Sequence, residues 1–177
     1  MVAALCKELI MRKEEAVGSE LQTIYLGGGT PSILAYDELK QLFDTIYSYY
    51  KVSPTAEITI ECNPDDFFRL HTPEQLLQQL TSLGINRLSL GVQSFFEEDL
   101  RLMNRVHTTT QVTTLLPIAS QYFDNITIDL IYGIPMMSNE RWKENIYKAL
   151  SFEIPHISAY ALTVEEKTAL HRFIAIG

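Results

Sequence analysis

Apolar and polar residues alternate along the chain with two different periods, and each period predicts a different kind of element. Five short runs are apolar and rich in β-branched residues, which is typical of strands; they cover residues 23–26, 57–60, 87–90, 126–131 and 156–162. Stretches with apolar residues three or four positions apart predict helices. These stretches cover residues 3–17, 36–50, 73–83, 97–103, 110–122 and 140–152.

The order of these elements predicts the fold class. The strands recur about every 30 to 40 residues with helices between them, which is the spacing of βα units and favours a parallel sheet with right-handed crossovers. No low-complexity linker or Pro-rich hinge divides the chain. We therefore expect a single α/β domain.

Composition narrows the classes of partner and compartment. The 177 residues carry a formal net charge of −8, and no window holds the cluster of Lys and Arg that a nucleic-acid site needs. The two cysteines, Cys6 and Cys62, and the absence of a long apolar segment indicate neither a disulfide framework nor a signal peptide or membrane span. We expect a cytoplasmic protein with reduced thiols and no nucleic-acid partner.

Polar groups stand at the carboxyl end of every predicted strand, where parallel α/β folds place their functional residues. The strand ends read GGGTP at 27–31, ECNP at 61–64, GVQS at 91–94, DLIYGIP at 129–135 and SAYALT at 158–163. Each has a purely structural alternative: the glycines could form a tight turn, and Asp129 could be a solvated strand residue. However, Asp129 is flanked by apolar residues, where an ionised carboxylate needs partners. Together the strand ends predict a pocket for a small polar ligand.

Other candidate side chains have weaker support. Arg105 taken alone reads as a surface charge, and His71, His156 and His171 read as structural or exposed residues rather than ligands. Cys62, between Glu61 and Asn63, reads as a small apolar filler beside the pocket.

Six of these segments, taken in order and with their spacing, resemble one protein family. They are YLGGGTPSIL, EITIECNPDD, GINRLSLGVQSF, MNRVH, DLIYGIP and AYALTVEEKT, which together extend from about Thr23 to Thr168. They are similar to radical S-adenosylmethionine (SAM) proteins related to oxygen-independent coproporphyrinogen III oxidase, and within that family most similar to its heme chaperone branch. The resemblance implies a parallel, partial (β/α)6 TIM-like barrel of the radical SAM type, with about five of its six strands present.

The resemblance also implies a cofactor and the residues that hold it. SAM would lie across the strand ends and chelate one iron of a four-iron, four-sulfur cluster. Its ammonium group would contact the Gly28 and Gly29 backbone and the Thr30 hydroxyl, and its carboxylate would pair with Arg105. The ribose and methionyl groups would contact polar side chains, and the adenine would lie beside the fifth strand. By position, the side chains that contact the ribose and methionyl groups are Glu61, Gln93 and Asp129, and the residue beside the adenine is Thr163.

The family leaves the activity of the whole protein open between alternatives. The heme chaperone branch binds heme and delivers it to an acceptor protein. The oxidase branch cleaves SAM reductively and converts propionate side chains of coproporphyrinogen III to vinyl groups in porphyrin biosynthesis. A scaffold that binds without cluster chemistry is the third alternative. Val106-His107 and LTVEEKT look like the chaperone pattern, so His107 has a functional interpretation in heme or substrate contact beside a structural one.

The chain departs from the family at the cluster. The family's C-x3-C-x2-C triad is missing, since Cys6 and Cys62 are far apart. We therefore expect residues 1–177 to be part of a radical SAM core domain without the cluster-bearing first strand and loop and without the C-terminal domain. We expect this chain alone to be inactive and to contain no metal ligands. A missing first strand would also expose the edge of the strand at 23–26 and favour dimerisation.

Overall fold

Five parallel strands form one curved sheet in the computed structural model, which describes residues 1–70, 72–164, 166 and 172. The strands are β1 (Leu21–Leu26), β2 (Val52–Cys62), β3 (Arg87–Gln93), β4 (Asn125–Tyr132) and β5 (His156–Ala161). All five predicted strands are confirmed. The largest difference is in β2, which begins five residues before the predicted start at residue 57.

Helices alternate with the strands, as the periodicity predicts. They are α1 (Val2–Arg12), α2 (Tyr36–Tyr49), α3 (Pro73–Ser82), α4 (Glu97–Leu102), α5 (Thr109–Ala119) and α6 (Asn139–Ser151). The first helix is shorter than predicted because residues Lys13–Ala16 tighten into a 3₁₀ turn before Gly18. No helix of the described residues combines the length and the apolar character needed to cross a membrane.

The order of strands in the sheet identifies the architecture. The spatial order β1-β2-β3-β4-β5 is the same as the order in the chain, and each neighbouring pair is parallel. Each helix therefore carries the chain to a new strand on the same side of the previous one, as in a barrel and unlike a doubly wound sheet, whose order reverses. The predicted partial TIM-like barrel is confirmed.

The two faces of the sheet have different chemistry. Side chains of one face are fully buried beneath the helices; examples are Ile60, Leu88, Leu90, Ile128 and Leu130. The other face, the inside of the barrel, carries polar residues, because side chains two positions apart share a face. In register across it lie Glu61, Ser89 and Thr127. The helices therefore bury one face, and the polar face is left for a ligand.

Candidate functional site

A cavity of about 170 Å³ lies at the carboxyl ends of the first four strands. Its lining residues are Gly29, Thr30, Glu61, Cys62, Asn63, Ser89, Gly91, Gln93 and Asp129. Larger clefts elsewhere, such as one beside α2, are not lined by residues from the carboxyl ends of the strands. The predicted convergence of polar groups from separate strands therefore occurs at this cavity.

Glu61, near the end of β2, is held in place by groups from β1 and the loop that follows it. Its Oε1 accepts a hydrogen bond from the Tyr25 hydroxyl at 2.8 Å, and its Oε2 accepts one from the Gly28 backbone N–H at 3.1 Å. A Cβ atom at Gly27 would lie 2.6 Å from Tyr25 Cε1 and 2.8 Å from Glu61 Oε1. A Cβ at position 27 would therefore force the Tyr25 or Glu61 side chain to move, and glycine leaves both in place.

At positions 28 and 29 glycine is favoured for a different reason. Their φ angles are +77° and +93°, which residues with a Cβ adopt only under strain, while open space surrounds the position of a Cβ at either residue. This backbone path brings Thr30 to the cavity, where its Oγ1 accepts a hydrogen bond from Asn63 Nδ2 at 3.3 Å. The three glycines thus end the strand and direct a polar loop over the barrel.

Asp129, on β4, is a half-buried carboxylate on the polar face. Burial raises its pKa above the ordinary value, the negative charge of Glu61 raises it further, and a hydrogen bond from Ser158 opposes the shift. Its neighbour in register is Ser158 on β5. Two acidic groups in one cavity, one of them with a raised pKa, are typical of a ligand site.

Gln93 ends β3 in a strained conformation. Its φ is +66°, and the Ser94 N–H donates to the Val92 carbonyl at 2.8 Å, so residues 92–94 form a γ-turn. Such a conformation costs a non-glycine residue about 1–3 kcal/mol and persists where surrounding contacts impose it. A Cβ at Gly91 would lie 2.9 Å from Gln93 Nε2. The turn therefore places the Gln93 side chain over Gly91, at the wall of the cavity.

Arg105 is half-buried in the segment after α4. Burial lowers its pKa, while the charges of Asp65 and Asp129 raise it. Among the described residues, none forms a hydrogen bond or ion pair with its guanidinium. A partly desolvated cation near two carboxylates is available to an anionic group of a ligand.

Thr163 and the four histidines that the sequence analysis considered lie in different places. Thr163, beyond the end of β5, is exposed and does not line the cavity. His156 is exposed at the start of β5, at the opposite end of the barrel, whereas His71 and His171 lie outside the described residues. His107 is 2% exposed and hydrogen-bonded through Nε2 to the Val92 carbonyl at 3.0 Å. This contact favours the structural interpretation of His107.

The two cysteines do not form a cluster site. Cys6 on α1 contacts the Gln41 carbonyl, and Cys62 is buried at the end of β2, where burial raises the pKa of its thiol. The described residues contain no group of three His, Cys, Asp or Glu arranged to hold a metal ion. Three thiolates are needed to hold the cluster, so the residues of this chain do not fit that group.

Sequence reasoning missed part of the cavity wall. Tyr25, Asn63 and Ser89 were not among the predicted site residues, although Tyr25 binds Glu61 and the other two line the cavity. The signal for Ser89 was the two-residue alternation that pairs it with Glu61 across the sheet. The signal for Asn63 was its place in the loop directly after β2.

Comparison with known sequences gives consistent matches. The sequence model of the Radical SAM superfamily matches residues 5–148. The heme chaperone HemW of Bacillus subtilis is 36% identical over 176 residues, which cover 98% of this chain and 45% of that protein. HemW of Escherichia coli K12 is 34% identical over 154 residues, covering 86% of this chain and 39% of that protein. The chain therefore spans less than half the length of these curated relatives.

Solved structures match over nearly the whole chain. Coproporphyrinogen III oxidase (HemN) from Escherichia coli superposes with a TM-score of 0.81 at 26% identity, covering 98% of this chain and 44% of that one. Elp3 of Methanocaldococcus infernus gives a TM-score of 0.70 at 22% identity, covering 97% of this chain and 44% of that one. The second likeness shows a shared fold alone.

Proposed function

This chain belongs to the radical SAM superfamily, and from that membership we propose that its cavity binds S-adenosylmethionine within a protein of the heme chaperone type. The superfamily in general uses SAM and a four-iron, four-sulfur cluster. The observation that carries the proposal is the convergence of Gly29, Glu61, Gln93 and Asp129, from four successive strand ends, on one cavity. These are the residues that the family motifs assign to SAM.

Each group of the ligand has a chemically suited partner in this proposal. The ammonium group contacts the backbone of Gly28 and Gly29 and the Thr30 hydroxyl. The carboxylate pairs with the half-buried guanidinium of Arg105. The ribose hydroxyls and the methionyl chain contact polar side chains, and the adenine lies toward β5. We assign the ribose and methionyl contacts to Glu61, Gln93 and Asp129, and the adenine contact to Thr163.

The heme chaperone assignment rests on the relatives. HemW proteins of several bacteria match nearly all of this chain at 33–36% identity. By this proposal the whole protein binds heme and passes it to an acceptor protein in the cytoplasm. The sequence segments Val106-His107 and LTVEEKT support the chaperone branch, although the second segment extends beyond the continuously described residues.

Coproporphyrinogen III oxidase is the second candidate, and the similarity to HemN of Escherichia coli favours it. The two candidates share the SAM cavity and differ in the second ligand. A heme chaperone retains heme without changing it, whereas the oxidase converts propionate groups of coproporphyrinogen III to vinyl groups. Heme titration followed by visible absorbance, beside an assay of coproporphyrinogen III with product analysis, separates them.

The proposal is tested first by anaerobic reconstitution with iron and sulfide. We compare the full reading frame that carries this chain with the 177-residue chain by itself. The full protein is expected to develop cluster absorbance that changes when SAM is added, and the chain is expected to develop none, because it contains two cysteines. Absence of a cluster in both would leave the scaffold alternative, and 5′-deoxyadenosine produced by the chain alone would contradict the proposal.

The cavity itself is tested by calorimetric titration of the chain with SAM. Replacing Arg105 by Ala removes the partner of the ligand carboxylate, and we expect a loss of roughly 1.5–3 kcal/mol of binding free energy. Arg101→Ala is the matched control, since Arg101 is an exposed arginine on the preceding helix. Equal affinities of the two variants would contradict the assignment of Arg105.

A further inference from the structure

The γ-turn at Gln93 is held by contacts that do not line the cavity. The Val92 carbonyl accepts hydrogen bonds from the Ser94 N–H and from His107 Nε2. The next backbone N–H, that of Phe95, donates to Asn145 Oδ1 on α6 at 2.7 Å. The residues on both sides of Gln93 are therefore hydrogen-bonded to side chains from other parts of the chain.

Asn145 is completely buried, and its surroundings determine which way its amide faces. A backbone N–H needs an acceptor, so the Phe95 contact requires the carbonyl oxygen of the amide to point at the turn. Leaving the Phe95 N–H unpaired would be costly because the loop is buried at this point.

A second buried group fixes the residue between Gln93 and Phe95. The Ser94 hydroxyl donates to Asp99 Oδ2 at 2.7 Å and accepts from the Phe96 N–H at 3.2 Å. Asp99 is 2% exposed and accepts from Arg141 Nη1 at 3.1 Å. Helices α4 and α6 thus converge on the segment that follows the turn.

The front of the turn faces the cavity. A Cβ at Gly91 would lie 2.9 Å from Gln93 Nε2 and 3.1 Å from Asn63 Oδ1, so both side chains lean over the bare Cα of Gly91. Hydrogen bonds from His107 and Asn145, on the side away from the cavity, hold the backbone around the turn. On the cavity side, Gly91 has no side chain, and this leaves room for the Gln93 amide.

We propose that Asn145 is a positioning residue that holds the γ-turn and so aims the Gln93 side-chain amide into the cavity. The consequence for ligand binding rests on the proposed function, because it takes SAM as the molecule that Gln93 contacts. The placement of the Gln93 amide by Asn145 does not depend on the proposed function. Asn145 acts through Gln93 without lining the cavity itself.

The test replaces Asn145 by Leu, which has nearly the same shape and no acceptor. Asn139→Leu makes the same change at an exposed position of the same helix and is the control. The first readout needs no ligand. By NMR of the 177-residue chain, Asn145→Leu is expected to shift the Gln93 side-chain amide signals and speed hydrogen exchange at the Ser94 and Phe95 amides, whereas Asn139→Leu leaves them unchanged.

The second readout is affinity for SAM in a double-mutant cycle with Gln93→Ala. Asn145→Leu is expected to weaken binding about tenfold in the wild-type background and less than about twofold when Gln93 is already Ala. A merely structural role would give the same loss in both backgrounds. If Asn145→Leu does not fold, Asn145→Ala removes the same acceptor for the Phe95 N–H and is carried through the same double-mutant cycle and NMR comparison.

The outcomes separate this inference from the proposed function. Unchanged Gln93 signals and unchanged exchange in Asn145→Leu would overturn the positioning role, whether or not SAM binds. Equal losses of affinity in both backgrounds would also overturn it. A wild-type chain that binds no SAM would contradict the proposed function, and the NMR readout would then decide on the positioning role alone.

Discussion

At the scale of single residues, the cavity combines groups that favour binding with groups that cost stability. Asp129 is the clearest case, because burial and the nearby charge of Glu61 both disfavour its ionised form and raise its pKa. Gln93 is another, held at a positive φ. Such residues persist where a ligand uses them.

Replacing Asp129 by Asn is expected to stabilise the ligand-free chain at neutral pH and to weaken SAM binding. A folded pKa above the unfolded value means that the folded state holds the proton more tightly. Its contribution to the free energy of unfolding is therefore largest at acidic pH, and it falls as pH rises from about 3.8 through the raised pKa. Thermal unfolding of both proteins across this range measures the difference.

Asp124→Asn is the control for this prediction, because Asp124 is an exposed carboxylate just before the same strand. The control leaves Asp129 in place and is therefore expected to keep the pH dependence that Asp129 contributes. If Asp129→Asn also unfolded with the wild-type pH dependence, the statement that the pKa of Asp129 is raised would be wrong.

Gly27 and Gly29 are expected to respond differently to the same substitution. Gly27→Ala places a Cβ against Tyr25 and Glu61 and should cost about 1–3 kcal/mol through overpacking. Gly29→Ala meets no atom and should cost about 1–2 kcal/mol through its positive φ alone. Urea unfolding measures both costs, and a crystal structure of each variant shows whether Glu61 moves.

The two substitutions are expected to affect the position of Glu61 differently. It is expected to move in Gly27→Ala and to stay in place in Gly29→Ala. An unmoved Glu61 and an unchanged stability in Gly27→Ala would show that the close approach at this position is not a constraint.

At the scale of elements, local hydrogen bonds decide where helices begin. Helix α5 starts after Thr108, whose Oγ1 accepts from the Gln111 N–H at 3.2 Å while Gln111 Oε1 accepts from the Thr108 N–H at 2.9 Å. This is a capping box. It lies directly after His107, so the start of the helix and the contact to the γ-turn are adjacent.

Removing this cap is expected to destabilise the protein by about 1 kcal/mol. The variant is Thr108→Ala, and chemical unfolding measures the change. Thr114→Ala, at an exposed position inside the same helix, is the control. It should be neutral or slightly stabilising, because Ala has the higher helix propensity. Equal effects of the two changes would count against the cap.

At the scale of the whole molecule, the sheet is open at both sides. Among the described residues β1 pairs only with β2, and β5 pairs only with β4. Unpaired backbone groups of an edge strand can pair with a second chain. Dimerisation through the edge of β1 therefore remains a prediction for this chain.

Self-association is expected to increase with concentration and to fall in Thr23→Lys, because a charge on an edge strand opposes pairing with another edge. Thr23 is exposed and lies opposite Glu57 on β2, so the fold should tolerate the lysine. Thr114→Lys adds the same charge on a helix far from the edge. Sedimentation velocity compares the three proteins, and a wild-type chain that stays monomeric at high concentration would contradict the prediction.

Much of this architecture follows from local pattern. In the described part of the chain, each of the five predicted strands and six predicted helices occurs close to its predicted position, because apolar spacing reports which face of an element is buried. The ends of elements are less predictable: β2 begins at Val52 and α1 ends at Arg12. Asp129 and, less strongly, Gln93 were identifiable because a polar side chain among apolar residues is costly unless it has partners. Glu61 was identifiable only from its place at a strand end and from the family resemblance.

The sequence by itself determined the order of elements, the parallel sheet and the strand ends that carry polar groups, since these depend on residues near one another in the chain. Only the tertiary structure decided the rest. It placed His107 behind the γ-turn, brought Asn145 to Phe95 across 50 residues, and set Tyr25 against Glu61. Such contacts depend on how curved strands and distant helices pack, and no local pattern encodes that geometry.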